Sequence, residues 1–229
     1  DDPLRYGRKT IHEQYNVAVA INAGDLMIGE GYRLIAESGL PSGTIVDCVR
    51  VIANGHRDMA LGQGAELLAT AAKRILSMQE ILELFNNKTA SAFKVSLLLG
   101  GILGGAGKET LDQLEGFSYY TGIAYQLMDD LEDYSGNRGD IRFRKPSVLL
   151  SMLVESVPAD ERIVVEHDFV SGHFDAIYQC LERNQTAGQC TELLKDHLAR
   201  AKEHVADLRN LGLKLALHEN LGKIFDKYL

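Results

Sequence analysis

The sequence is short of basic charge, cysteine and proline, and it has no long apolar run. Its 24 lysines and arginines stand against 32 aspartates and glutamates, for a formal net charge of −8 and a pI near 5.4. That balance argues against nucleic acid as the main partner, because phosphate backbones demand a basic face. Any polyanionic ligand needs cations gathered locally. The three cysteines, Cys48, Cys180 and Cys190, are odd in number and lack metal-ligand spacing. They fit free thiols in a reducing compartment, the cytoplasm, rather than a disulfide framework. Only four prolines, 45% hydrophobic residues and 24% charged residues exclude a disordered chain. The most apolar run, VSLLLGGILGG at 95–105, is too short and too rich in glycine to span a bilayer, and no signal-peptide pattern is present. The sequence opens on Asp1-Asp2-Pro3 without a methionine, and residues upstream are expected.

No segment shows a sustained alternating β pattern bounded by hairpin turns, whereas apolar residues recur at spacings of three and four almost throughout. The fold is therefore all-α, and 229 residues favour one domain, 1–229. The spacing predicts helices over 11–38, 43–56, 57–73, 77–105, 108–135, 145–155, 159–169, 173–184, 186–209 and 212–228. Breaks fall at Gly39-Leu40-Pro41, Gly105-Ala106-Gly107, Ser135-Gly136-Asn137 and Val157-Pro158. Small residues mark otherwise apolar faces in two of these helices: Ala18, Ala20 and Ala23, then Gly100, Gly101, Gly104 and Gly105. Four glycines within six positions have two readings, tight helix packing or a smooth wall for a long apolar ligand. From Pro158 onward the chain is amphipathic helix without a recognisable chemical motif.

The stretch YQLMDDLEDY, 125–134, carries Asp129, Asp130, Glu132 and Asp133. On a helix Asp129 and Asp133 share a face one turn apart, Asp130 lies about 100° around, and Gln126 precedes that face by a turn. Crowded carboxylates repel unless a cation sits among them, and an oxygen-only set suits Mg²⁺ shared with substrate phosphates. A solvated acidic helix end is the alternative. Cations do gather elsewhere: Lys88 beside Thr89 in FNNKTASAF, mid-helix and so not a nucleotide P-loop; Arg142, Arg144 and Lys145 in GDIRFRKPS; and Arg5, Arg8 and Lys9 in DDPLRYGRKT. The loop after the acidic helix is placed to fold back over its end.

The order DDPLRYGRKT, AGDLMIGEGYRL, GQGAE, NNKTA, AYQLMDDLED and GDIRFRKPS resembles the trans-isoprenyl diphosphate synthase (polyprenyl synthetase) family over about residues 1–155. YQLMDDLED is similar to its second aspartate-rich motif, FQxxDDxxD, with Tyr125 for phenylalanine. The resemblance implies an isoprenoid-synthase bundle with a deep central apolar cavity. It implies a prenyltransferase that condenses an allylic diphosphate with isopentenyl diphosphate to a longer polyprenyl diphosphate, by Mg²⁺-assisted ionisation and electrophilic alkylation. By the same similarity Asp129, Asp130 and Asp133 bind Mg²⁺, with Asp129 the direct ligand, and Gln126 lines the site. Lys88, Lys145 and Arg5 contact the diphosphate, and Thr89 stands near the reacting carbons. A homodimer is implied too.

Three departures qualify the match. The family's first motif, DDxxD, should end one position before Asp1, so the chain is expected to lack it together with the N-terminal helices; Asp1 and Asp2 do not supply it. Tyr6 stands where a second arginine is usual, and Arg144 where a glycine commonly precedes the loop lysine. These leave two alternatives beside the synthase: a catalytically silent regulatory or prenyl-binding subunit, and a related terpene synthase.

Overall fold

Spacings of three and four become helix along nearly the whole chain, in a computed structural model that describes residues 3–136 and 138–229. Asp1, Asp2 and Asn137, the last part of the expected Ser135-Gly136-Asn137 break, lie outside the described residues. The chain forms two compact units, Asp1–Ile52 and Ala53–Leu229.

The first unit opens with a feature that apolar periodicity cannot reveal, a hairpin of two-residue strands. β1 (Leu4–Arg5) pairs antiparallel with β2 (Arg8–Lys9), Arg5 opposite Arg8. Its two-residue loop has positive φ at both Tyr6 (51°) and Gly7 (74°), the backbone that a tight hairpin following strand twist requires. Helices α1 (Ile11–Gln14) and α2 (Val17–Ala36) follow, then the start of α3 (Ser42–Ala71). The expected helix 11–38 is interrupted because Asn16 is extended and its side chain accepts the Val19 N–H at 2.8 Å, an N-cap that starts α2.

The second unit contains the rest of α3, α4 (Met78–Phe85), a π-helical turn (Asn86–Ala90), α5 (Ser91–Leu103) and α6 (Lys108–Ser135). It continues with α7 (Gly139–Arg142), α8 (Val148–Ser156), α9 (Ala159–Ser171), α10 (Phe174–Arg183), α11 (Thr186–Ala206) and α12 (Leu211–Ile224). The boundary expected at 56–57 is absent. An interior glycine such as Gly55 costs about 1 kcal/mol, too little to end a helix that packing supports. The helix expected over 77–105 is divided by the π-turn instead.

Helix α6 packs against both α5 and α11. Phe117, Ile123, Leu127 and Leu131 of α6 join Leu194, Leu198 and Val205 of α11 in the buried core. Each such side chain stabilises the fold by roughly 1.5–3 kcal/mol. Within the glycine group, tight packing is seen at Gly101. Gly101 meets α6 closely, since a Cβ there would lie 2.8 Å from Leu111 Cδ2, while Gly104 and Gly105 (φ 73°) end α5 and Gly100 faces open space. All three cysteines are free and buried. Among the described residues no helix is long and apolar enough to cross a membrane.

Candidate active site on helix α6

The NNKTA segment is held in place by contacts that leave no room for side chains. A Cβ on Gly62 of α3 would lie 2.5 Å from the backbone nitrogen of Lys88, and one on Gly122 of α6 would lie 2.3 Å from Cα of Ala90. The π-turn between them accommodates one residue more than a regular helical turn, a distortion common at functional sites. It presents Lys88 and Thr89, both half-buried, toward the acidic face of α6. Lys88 Nζ forms an ion pair with Glu66 of α3. The Thr89 hydroxyl donates to Gln126 Oε1 at 3.0 Å, and Gln126 Nε2 donates to Asp129 Oδ2 at 3.3 Å and Asp130 Oδ1 at 3.5 Å. One hydrogen-bonded chain thus links Thr89 to Asp129 across two elements.

The three aspartates expected to act together have different surroundings. Asp129 is exposed, and the amide of Gln126 is its hydrogen-bond partner. Asp130 is 4% exposed, and its Oδ2 accepts the backbone N–H of Val148 at 2.7 Å. Asp133 accepts the backbone N–H groups of Gly139 and Asp140, both at 3.0 Å, so the loop after α6 does fold back over the helix end. The residues expected as one ligand set therefore separate: Asp129 points outward, while Asp130 and Asp133 fasten α8 and α7.

Aspartates outnumber lysines on this face, with Asp129, Asp130, Asp133 and Asp140 against Lys88 and Lys145. Although Asp129 is exposed at its surface, desolvation by the protein packed around its carboxylate, then the Asp140 carboxylate, raise its pKa against the opposing pull of Gln126 and Lys88. Burial pushes Asp130 up to about 7, although the Val148 N–H favours its charged form. An oxygen-only donor set with unbalanced negative charge fits a hard divalent cation such as Mg²⁺.

The loop cations do not act as one patch. Lys145 reaches Asp140 at 2.9 Å and so stays at the acidic end of α6. Arg144 turns away. Its backbone is left-handed (φ 57°), which gives a physical reason for a glycine at this position, and its guanidinium donates to the carbonyls of Phe169 at 3.1 Å and Val170 at 3.3 Å. Of the cations grouped in GDIRFRKPS, Arg144 is thus directed to the end of α9 and not to the acidic face. Arg5, in the first unit, is exposed, with its guanidinium 5.8 Å from the ring of Tyr6.

Sequence reasoning missed Glu66, Asp140, Gly62 and Gly122. GQGAE held a signal for two of them, since it spaces a glycine and a carboxylate by four residues on one face of α3. One and two helical turns beyond Thr89, Phe93 and Leu97 of α5 line an apolar cavity of about 370 Å³ with Phe117 and Thr121 of α6 and Leu221 and Ile224 of α12.

The sequence and the fold both have counterparts among known proteins. The chain is 29% identical over 175 residues to the geranylgeranyl diphosphate synthase of Sulfolobus acidocaldarius, covering 72% of this chain and 52% of that protein. It is 30% identical over 146 residues to the farnesyl diphosphate synthase of Bacillus subtilis, covering 62% and 49%. The chain thus spans about half the length of these curated relatives. The geranylgeranyl pyrophosphate synthetase structure from Pyrococcus horikoshii superposes with a TM-score of 0.85 at 25% identity, over 97% of this chain and 71% of that one. A decaprenyl diphosphate synthase from Rhodobacter capsulatus shares the all-α fold at a TM-score of 0.87 and 21% identity, over 100% and 72%. Since the polyprenyl synthetase family model also matches residues 1–167, the chain belongs to the polyprenyl synthetase family.

Proposed function

We propose that this protein is a trans-prenyltransferase that condenses an allylic diphosphate with isopentenyl diphosphate. The observation that carries the reading is the hydrogen-bonded chain Thr89–Gln126–Asp129, with Lys88 beside it on the π-turn. It gathers an ammonium, a hydroxyl, an amide and an exposed carboxylate on two packed helices. This is the combination needed to grip a diphosphate while its C–O bond breaks.

On this reading residues 1–229 belong to one catalytic domain. Lys88 and Lys145 hold the departing diphosphate and stabilise the charge that develops on its oxygens. Their present partners, Glu66 and Asp140, hold both ammonium groups in orientation until substrate arrives. Asp129 would hold Mg²⁺, with Asp130 and Asp133 shaping the wall behind it. When bound, the metal supplies neutralisation of the leaving group's negative charge. Thr89 and Gln126 fix the position of the ionising carbon relative to that wall. The apolar cleft beginning at Phe93 offers the hydrocarbon a surface poor in water, which protects an allylic cation from capture as an alcohol. Family members commonly pair, and a homodimer is part of the proposal.

The test is incubation of the full-length protein with Mg²⁺, labelled isopentenyl diphosphate and, separately, dimethylallyl, geranyl, farnesyl or geranylgeranyl diphosphate. Label should enter an acid-labile polyprenyl product with at least one of them. Folded protein that incorporates none overturns the reading.

A further inference from the structure

The stretch HDFVSGH, 167–173, reads in sequence as the end of an amphipathic helix, yet it brings three metal-binding side chains together. Gly172 adopts a left-handed conformation (φ 86°) and ends α9. The turn is closed by the N–H groups of Gly172 and His173, which donate to the Asp168 carbonyl at 2.8 and 2.9 Å. This helix-ending geometry carries the sixth residue back over the first. His173 Nδ1 consequently lies 3.1 Å from Asp168 Oδ1, and His167 Nδ1 lies 3.6 Å from the same oxygen. The ligand atoms of all three residues fall within 4.8 Å of one another.

We propose that His167, Asp168 and His173 form a binding site for a divalent transition-metal ion of the zinc class, separate from the acidic wall on α6. Zinc bonds imidazole nitrogen and carboxylate oxygen at about 2.0–2.2 Å in a tetrahedron, which sets neighbouring donors about 3.3 Å apart. The two donor distances to Asp168 bracket that value. The third gap closes by rotation of the imidazoles, whose side chains are 68% and 63% exposed, while Asp168, at 16%, is the fixed point.

A second observation concerns the far side of a ring. His167 Nε2 is 3.4 Å from the Ser171 hydroxyl. A protein partner on the other ring nitrogen is the usual arrangement for a ligating histidine, because it fixes the tautomer that leaves the first nitrogen free for the metal. Two imidazoles and one carboxylate select a borderline ion over Mg²⁺, which prefers oxygen alone. The fourth position is open to water or to a ligand.

The test is calorimetric titration of the full-length protein with Zn²⁺ in excess Mg²⁺ near neutral pH, beside His167→Ala and His173→Ala variants checked for folding by circular dichroism. Both rings are exposed, so both variants should fold. The wild type should show a saturable Zn²⁺ site that each variant weakens by at least about tenfold, and the imidazole NMR signals of both histidines should shift on binding. A wild type that takes up no Zn²⁺, or an affinity unchanged in either variant, overturns the proposal.

Discussion

The buried carboxylate of Asp130 accepts the backbone N–H of Val148, the first residue of α8, at 2.7 Å. The residue before that helix, Ser147, makes no side-chain cap bond of its own, so the cap comes from α6. Replacing Asp130 by alanine leaves a buried N–H without a partner, whereas asparagine keeps an acceptor. Asp130→Ala should be less stable than Asp130→Asn by about 1–2 kcal/mol in urea unfolding with chelator present. Equal midpoints would show that the bond does not support α8.

Asp129 should behave in the opposite way. It is exposed and supports no backbone group among the described residues, so Asp129→Ala should leave the unfolding midpoint unchanged. Prenyl transfer should fall by roughly 100-fold or more, the scale of losing one preorganised electrostatic contact. A variant with wild-type turnover would mean that the acidic face is only a solvated helix end.

The glycines that clasp the π-turn offer a test of packing. Gly62→Ala and Gly122→Ala each drive a methyl group against backbone rather than a flexible side chain. Each should destabilise the protein by about 1–3 kcal/mol and lower turnover through misplacement of Lys88 and Thr89. Denaturation midpoints like those of the wild type would contradict the close approach.

At Arg144 the backbone and the side chain make opposite demands. Loss of the guanidinium removes both bonds to the end of α9, but glycine adopts φ near 57° without strain and alanine only at a cost. Arg144→Gly should therefore be more stable than Arg144→Ala by about 1 kcal/mol. The reverse order in thermal unfolding would exclude the left-handed conformation.

Glu80 gives a pH signature. Its carboxylate accepts from Arg74 at 2.8 Å and from the Ser77 N–H at 2.9 Å in the capping box of α4, and these bonds lower its pKa from 4.5 to about 2. The folded protein thus releases this proton more readily than the unfolded chain. The resulting stability is complete above the unfolded value and is lost as pH falls from about 4.5 toward 2. Glu80→Gln should be less stable than wild type by about 1 kcal/mol near neutral pH, solvent screening included, and by less than half of that near pH 3. A difference independent of pH would remove the charge from the explanation.

Legibility in the sequence followed the range of the interaction. Helix α6 and its carboxylates were visible because apolar period and acidic spacing are written within about thirty positions, and NNKTA was correctly placed on a helix. The π-turn was not visible, since one additional residue leaves the local apolar pattern intact. Its clasp depends on Gly62 and Gly122, which meet the turn only after α3 and α6 have packed. Arg144 was noticed as the occupant of a glycine position, but its direction depends on where α9 ends. HDFVSGH was read as the end of one helix and the start of the next, without a chemical motif, because His173 reaches Asp168 through a reversal of the chain and not through helical spacing.

The π-turn at Asn86–Ala90 also makes chain length a part of the proposed site. Each residue added to or removed from a helix rotates all that follows by about 100°. The π-turn instead absorbs its extra residue within one turn, so deletion of one position between Phe85 and Ser91 would let α4 and α5 run on as a single regular helix, with Phe93 and Leu97 still facing the cleft and the setting of Lys88 and Thr89 lost. The stretch is thus counted as well as composed: it can change residue type at several positions more readily than it can change residue number.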